Sequence, residues 1–350
     1  MNILYVSHSN RRGYLYQDPS VRYRCYSFAE ELVCAGNKAD VCHFEKFEDD
    51  FVDRYDVFVF HKPKISGRLV KLLEKLKTNS KLAIADFDDL VFDERYAEES
   101  SLFLSARGSL KNVIQLHREY HKALRLFVNV TVSTAPLKKI VQKSHPEAHV
   151  RVIHNGLSSR WVRQGRYVYQ KDYEDKMIGY FPGTSTHHYD YKIVEPALVR
   201  FLAKHKDIRL LILGPLKIDE KKYDSQQLLL FPAVSYEQLP YWIKQCWITI
   251  APLQPSLFNQ CKSGLKFFES AIWGVPLVAT AIPDLTRCDT ELRFAEDEQG
   301  WFDQFEMMLA DAPYTKISKK IENWTTENCM AQNQLPQWLE FVNQRSHREN

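Results

Sequence analysis

Short apolar runs punctuate the first half of the chain: "NILYVSH", "DVFVFHK", "KLAIADF", "FVNVTVS" and "VRVIHN". Between them lie helix-length amphipathic segments such as "VRYRCYSFAEELVCAG". Runs this uniformly apolar predict strands buried on both faces, and their alternation with helices predicts a parallel sheet. The pattern then restarts with "MIGYFPG", "IRLLILG", "LLLFPAV", "WITIAPL" and "VPLVAT", spaced by helices such as "VEPALVRFLAKHK" and "YEQLPYWIKQC". The expected architecture is therefore α/β, with two successive parallel-sheet domains. Residues 157–176 are polar, tyrosine-rich and aperiodic, which reads as a linker. The boundaries drawn from this are 1–156 for the first domain, 177–325 for the second, and 326–350 for a terminal helix with a polar tail. Open parallel sheets bind ligands at the carboxyl ends of their strands, so a substrate between the two domains is the expectation.

Composition supports a folded chain and narrows its partners. With 45% hydrophobic and 26% charged residues among 350, two cores of ordinary size are available. A net charge of +3 gives no reason to invoke nucleic acid. Seven cysteines without a C-x-x-C pair indicate a reduced, cytoplasmic protein with no zinc site. No leader pattern or long apolar run suggests secretion or a membrane span. Neither G-x-G-x-x-G nor a P-loop occurs, so a dinucleotide cofactor finds no support.

The segment "CKSGLKFFESAIWGVPLVAT" (261–280) sets two lysines and a glutamate on an otherwise core-like unit. Helical steps place Lys262, Lys266 and Glu269 within about 60° of one another, apart from a stripe of Leu265, Phe268 and Ile272. Ser263 and Gly264 would offer backbone amides to an anion at the helix start, and Glu269 could accept from ribose hydroxyls. A solvated face with an ordinary Lys–Glu pair is the alternative.

Other stretches carry weaker signals. "PGTSTHHYDYK" (182–192) has the composition of a polyphosphate or sugar cradle, with Gly183, Thr184, Ser185, His187, Asp190 and Lys192 as candidates; equally, Asp190 or Thr186 could cap the following helix. In "IADFDDLVFD" (84–93), Asp88 and Asp89 could orient an acceptor sugar, cap a helix, or join Asp86 around a divalent cation. The loop from residue 7 to 32 holds Arg11, Arg12, Gly13, Arg22 and Arg24, read as a clamp for phosphate or carboxylate lining a cleft. "GRLVKLLEKLKTNSK" (67–81) is a basic amphipathic helix that could lie on anionic membrane or present a solvated face.

Taken together, "VIHNGL", "IGYFPGTSTHHYDY", "LLILGPL" and above all "FNQCKSGLKFFESAIWGVPLVAT" resemble the retaining nucleotide-sugar glycosyltransferases of family 4. "PSVRYRCYSFAEEL" and "DFDDLVFD" resemble the first-domain signatures of its bacterial surface-polysaccharide branch. The resemblance implies the GT-B fold, two Rossmann-like domains facing a central cleft. It implies transfer of a sugar with retention from a nucleotide-diphosphate donor to a glycan or lipid-linked acceptor, with no obligatory metal or cofactor, at the cytoplasmic face of the inner membrane and in peripheral contact with it. The family's second glutamate matches Glu269, implying a ribose contact, and Gly264 and Leu265 match its amides near the diphosphate. Its first glutamate position holds Cys261, a departure at the usual sugar-hydroxyl contact that would leave Lys262 and Lys266 more of the diphosphate charge; its Arg-then-Lys pair is missing as well, and Thr184, His187, Asp190 or Lys192 would occupy that space. Lys266, Glu269, Asp88 and Asp89 are thus the candidate catalytic residues. A metal-dependent transferase, a nucleotide-sugar epimerase and a catalytically silent sugar-binding scaffold are the competing functions.

Overall fold

The computed structural model describes residues 1–167, 176–183, 187–310 and 314–346. They form two compact units. The first comprises Met1–Arg160, Cys261–Ser263 and Cys329–Asn350, and the second Trp161–Gln260 and Gly264–Asn328.

The first unit is built on six parallel strands: β1 (Asn2–Ser7), β2 (Lys38–His43), β3 (Val57–His61), β4 (Leu82–Phe87), β5 (Asn129–Val132) and β6 (His149–Val152). Their order is β2-β1-β3-β4-β5-β6. All five residues of β3 are buried, as its unbroken apolar sequence predicts for a strand with helices on both faces. On one face Ile3, Tyr5, Val57 and Ile84 pack with Phe28 and Leu32 of the Ser27–Cys34 helix and with Trp338, Phe341 and Val342 of the Ala331–Ser346 helix. The terminal helix therefore completes the first unit's core, although it follows the second unit in sequence. The polar tail at 347–350 lies outside the described residues.

"HNGL" is the joint that admits this helix. Leu157 N–H donates to the Cys329 carbonyl at 2.8 Å, and Ala331 N–H returns a bond to the Leu157 carbonyl at 2.9 Å. A Cβ on Gly156 would lie 2.5 Å from Ala331 Cα, so only glycine allows this approach.

The second unit contains β7 (Met177–Tyr180), β8 (Arg209–Leu213), β9 (Leu228–Phe231), β10 (Ile248–Ala251), β11 (Leu277–Ala279) and β12 (Arg293–Phe294), all parallel and ordered β12-β11-β10-β7-β8-β9. Its core joins Ile178, Tyr180, Leu210 and Ile248 to Tyr191, Val194, Leu198 and Phe201 of the His187–Lys204 helix. Part of the segment expected as a linker is ordered: Ser159–Arg166 is a helix that buries Trp161, whose ring stacks on Tyr236 at 4.7 Å. Residues 168–175 of that segment lie outside the described residues.

The Gly156 joint leads to a direct expectation. Gly156→Ala should lower stability by about 1–3 kcal/mol, the usual cost of overpacking a close contact, measured as a lower urea midpoint with an unchanged far-ultraviolet spectrum.

Candidate functional site

In the first unit, the chemistry gathers where β3 and β4 end. Asp86, the penultimate residue of β4, is buried, and both of its oxygens are engaged. Arg24 Nη2 donates to Oδ1 at 2.5 Å and Nε to Oδ2 at 3.0 Å, while the Thr131 hydroxyl adds a bond to Oδ1 at 2.7 Å. Arg24 Nη1 also donates to the Ile153 carbonyl at 2.5 Å and to Asn155 Oδ1 at 3.1 Å. At 3% exposure Arg24 lines no open surface. The expected anion clamp is here an internal ion pair, because burying one charge demands its partner. Asp86 is thereby withdrawn from the cation-binding role considered for it.

The other arginines are likewise engaged. Arg22, buried within a π-helical turn (Arg22–Tyr26), donates through Nε to the Tyr16 carbonyl at 3.0 Å. Arg11 braces its own loop through the Gln17 carbonyl at 2.9 Å, and Arg12 pairs with Glu45 at 2.9 Å on the surface. A Cβ at Gly13 would meet nothing within 4 Å.

Beyond Asp86, the next two aspartates meet two residues that the sequence pattern had treated only as the end of a strand, His61 and Lys62. Lys62 Nζ lies 2.7 Å from both Asp88 Oδ1 and Asp89 Oδ2. It reaches both from a backbone with φ of 48°, in the left-handed region, a conformation costing about 1–3 kcal/mol in a residue other than glycine. The Ser20 hydroxyl donates to Asp88 Oδ2 at 2.6 Å. Having one proton, it must accept from His61 Nε2 at 2.8 Å, which puts a proton on that nitrogen. His61 Nδ1 is buried without a hydrogen-bond partner among the described residues. Burial alone would raise the Asp88 carboxyl, but Lys62 and His61 outweigh it and hold the group well below the usual carboxylate range. Burial likewise opposes the charge of Lys62, yet Asp88 and Asp89 more than offset this and raise its pKa. Asp88 is thus a fixed anion at 9% exposure, whereas Asp89, at 36%, is the carboxylate that solvent reaches.

Cys261, Lys262 and Ser263 group with the first unit. Thr134 Oγ1 donates to the Cys261 carbonyl at 2.9 Å. Burial, reinforced by Asp89 and Glu99, pushes the Cys261 thiol up to about 12, so it stays neutral and supplies none of the charge of a carboxylate. Lys262 and Ser263 are half-buried.

In the second unit, Gly264 opens the Leu265–Ala271 helix in the segment that follows β10. Its amide, expected to face a diphosphate, instead donates to Asp284 Oδ2 at 2.8 Å. Leu285 Cδ2 would stand 2.7 Å from a Cβ here, so Gly264 serves close packing rather than anion approach. Phe267, Phe268 and Ala271 supply the buried face of the helix, while Leu265 is only half-buried. Seven residues make a short helix, so local positive charge comes mainly from Lys266 rather than from aligned peptides. Glu269 is buried at 7% exposure, not carried on a solvated face, and Lys266 Nζ donates to its Oε2 at 3.3 Å.

The start of the His187–Lys204 helix is drawn toward the β10 loop. Asp190 lies inside this helix rather than capping it. Its Oδ1 accepts from the Gln254 amide at 2.9 Å and its Oδ2 lies 3.0 Å from His187 Nδ1. Lys192 is exposed and sits 5.4 Å from the Tyr189 ring centroid. Gly183 is exposed with room for a side chain. Thr184, Ser185 and Thr186 lie outside the described residues. Among the described residues, no group of three or more His, Cys, Asp or Glu is arranged to hold a metal ion.

With two such sheets in place, solved structures offer a frame. No family model and no curated protein sequence matches the chain. Sucrose-phosphate synthase from Thermosynechococcus elongatus superimposes with a TM-score of 0.66 at 12% identity, over 98% of this chain and 99% of that one. HepE from Anabaena, solved in complex with UDP and glucose, gives 0.61 at 13% identity, over 98% and 100%. The fold is that of the GT-B glycosyltransferases. AviGT4, a glycosyltransferase involved in avilamycin A biosynthesis, gives 0.60 at 10% identity, over 99% and 98%. At these identities the shared property is the fold.

Two expectations follow from the first-unit cluster. Arg24→Ala should destabilise the protein by about 3–5 kcal/mol by leaving Asp86 buried and unpaired, read from urea unfolding. Asp88 has a folded pKa below its unfolded value near 3.9, so its contribution to stability is complete above about pH 4 and is lost as pH falls from there toward the folded pKa. The stability gap between wild type and Asp88→Asn should therefore narrow in acid unfolding measured below about pH 4.

Proposed function

We propose that the protein is a glycosyltransferase that moves a sugar from a nucleotide-diphosphate donor to a glycan or lipid-linked acceptor with retention, in cell-surface polysaccharide assembly at the cytoplasmic face of the membrane. The observation that carries this reading is the Lys266–Glu269 pair, with a buried carboxylate and a half-exposed ammonium 3.3 Å away, in the segment following β10 of a GT-B fold. An ionised carboxylate accepts charge-assisted hydrogen bonds from hydroxyl groups. In this reading Glu269 accepts from the ribose hydroxyls, while Lys266 and Lys262 face the diphosphate. Departure of a nucleotide diphosphate calls above all for stabilisation of the charge it gathers, and fixed ammonium groups supply that without a strong base.

The first unit orients the acceptor. Asp88 remains ionised and locked by Lys62, His61 and Ser20, so the accessible Asp89 is the carboxylate that receives a bond from the acceptor hydroxyl. The acceptor then attacks on the face the diphosphate leaves, and no carboxylate nucleophile is needed. The neutral Cys261 places no charge where the resembled family keeps its first glutamate, which shifts sugar recognition to other contacts. A nucleotide-sugar epimerase could use the same two-sheet plan, but it needs no acceptor-facing carboxylate such as Asp89.

Glu269→Ala and Lys266→Ala should each lower transfer from the cognate donor by about 100-fold or more, the scale of losing one charge-stabilising group, with unchanged circular dichroism. Wild-type turnover in both variants would remove the donor assignment, and sugar isomerisation without an acceptor product would favour the epimerase.

A further inference from the structure

The leucine stripe of the Gly67–Thr78 helix, Leu69, Leu72 and Leu76, is buried in the first unit and closed to lipid, against the membrane reading of its sequence. An open apolar surface lies instead in the second unit, on β9. Its sequence, "LLLF", has the uniform character of a strand covered on both faces. Yet β9 ends its sheet, next to β8 and with no strand beyond it among the described residues. Leu230 and Phe231 are each 40% exposed, and Leu228 and Leu229 are half-buried. Aromatic rings extend the surface: Phe231 lies 4.7 Å from Trp242, which meets Tyr241 edge-on at 5.4 Å, and Tyr241 is 49% exposed. An apolar sheet edge of this kind is a pairing surface unless charge or a bulge guards it.

Backbone geometry fixes how it can pair. Leu210 N–H donates to the Gln227 carbonyl at 2.7 Å, and Gly214 N–H donates to the Phe231 carbonyl at 3.0 Å. Residues 227, 229 and 231 therefore turn their peptide groups towards β8, and the alternation along the strand leaves those of Leu228 and Leu230 pointing outwards. On one side of them Gln226 N–H is taken by Asp224 Oδ1 at 3.0 Å, and on the other Pro232 has no N–H. The free donors of this edge are thus the amides of Leu228 and Leu230.

Two outward residues placed evenly about Leu229 make the edge self-complementary. A second copy, turned about a twofold axis through Leu229 and laid antiparallel, sets Leu228 opposite the partner's Leu230 and Leu230 opposite the partner's Leu228. Each pair exchanges two N–H···O bonds, and the interface closes on itself because both edges are used. Leu229 meets its own counterpart, so the central cross-strand pairs are all aliphatic. No charged residue occurs from Ser225 to Tyr236, so the copies bring no like charges into this register. A different protein would have to supply a free edge of matching spacing, which a second copy carries by construction.

We propose that the chain forms a twofold dimer by antiparallel pairing of β9 with the same strand of a second copy, joining their second sheets into one. The pairing goes beyond the transfer reaction given above and does not rest on it, since association is measured without donor or acceptor.

Sedimentation velocity of the full chain over a concentration series tests it, with amide hydrogen exchange as the local readout. A dimer is expected at micromolar concentration, and exchange at the Leu228 and Leu230 amides should slow as concentration rises. Leu230→Pro deletes one outward N–H from each copy and spares the bonds to β8, as proline does on edge strands. It should weaken association by about 25-fold, about fivefold for each bond lost, with unchanged circular dichroism. Leu230→Lys, at a side chain already exposed, brings two ammonium groups together across the axis and should also disperse the dimer, whereas Leu230→Ile should retain it. A wild type that is monomeric at about 100 µM, a dimer that survives both Leu230→Pro and Leu230→Lys, or exchange at Leu228 and Leu230 that is indifferent to concentration overturns the proposal.

Discussion

A guanidinium and a carboxylate buried against each other hold the first unit's candidate site in place. Arg24 reaches Asp86 with two nitrogens, and its third binds the Ile153 carbonyl and Asn155. It therefore ties the helix after β1 to the end of β4 and the end of β6 at once. Such a pair need add little net stability, since desolvating both charges offsets most of their attraction. Its effect is geometric: with β4 fixed at Asp86, the chain leaving the strand delivers Asp88 and Asp89 to Lys62, whose strained backbone points the ammonium between them. The division of labour between a locked Asp88 and an accessible Asp89 follows from that placement.

The second unit uses buried carboxylates in a similar way but on backbone amides. Asp190 takes the Gln254 amide and Asp284 takes the Gly264 amide, each fastening a loop at the carboxyl side of the sheet. These bonds are internal and engage backbone amides rather than the side chains that the proposed function uses. Lys266 and Glu269 sit just past the Gly264 anchor on a helix whose Phe267 and Phe268 are fully buried, which limits how far either can wander. Rigid support behind a small polar set is what a binding site for a charged substrate requires.

Much of this fold is legible in the pattern of apolar runs because most strands are covered on both faces. The two strands that escaped the pattern both lie at sheet edges: Lys38–His43 buries only Ala39 and His43, and Arg293–Phe294 is only two residues long. The terminal helix reads clearly as a helix, but its docking on the first unit depends on a backbone approach at Gly156 that no local pattern encodes. At the site, residue types were easier to read than roles. Aspartates after a strand and glycine before a helix are visible in the sequence, yet which carboxylate is occupied by arginine, and whether the glycine amide is free, depends on partners far along the chain. Arg24 and Asp86 are separated by 62 residues. His61 and Lys62 were within reach of inspection, as polar residues closing an apolar run at the carboxyl end of a parallel strand, where ligands gather.

Donor binding by the second unit is the claim on which the functional account turns. Thermal unfolding of the full chain with UDP-, GDP- and dTDP-linked sugars tests it most directly, because a ligand that binds only the folded state raises its stability by mass action. One nucleotide class should raise the midpoint in a concentration-dependent way, and Glu269→Ala should abolish the shift without changing the midpoint of the free protein by a comparable amount. A folded protein whose midpoint no nucleotide sugar moves at millimolar concentration would contradict the account and identify the fold as a scaffold that has lost its donor.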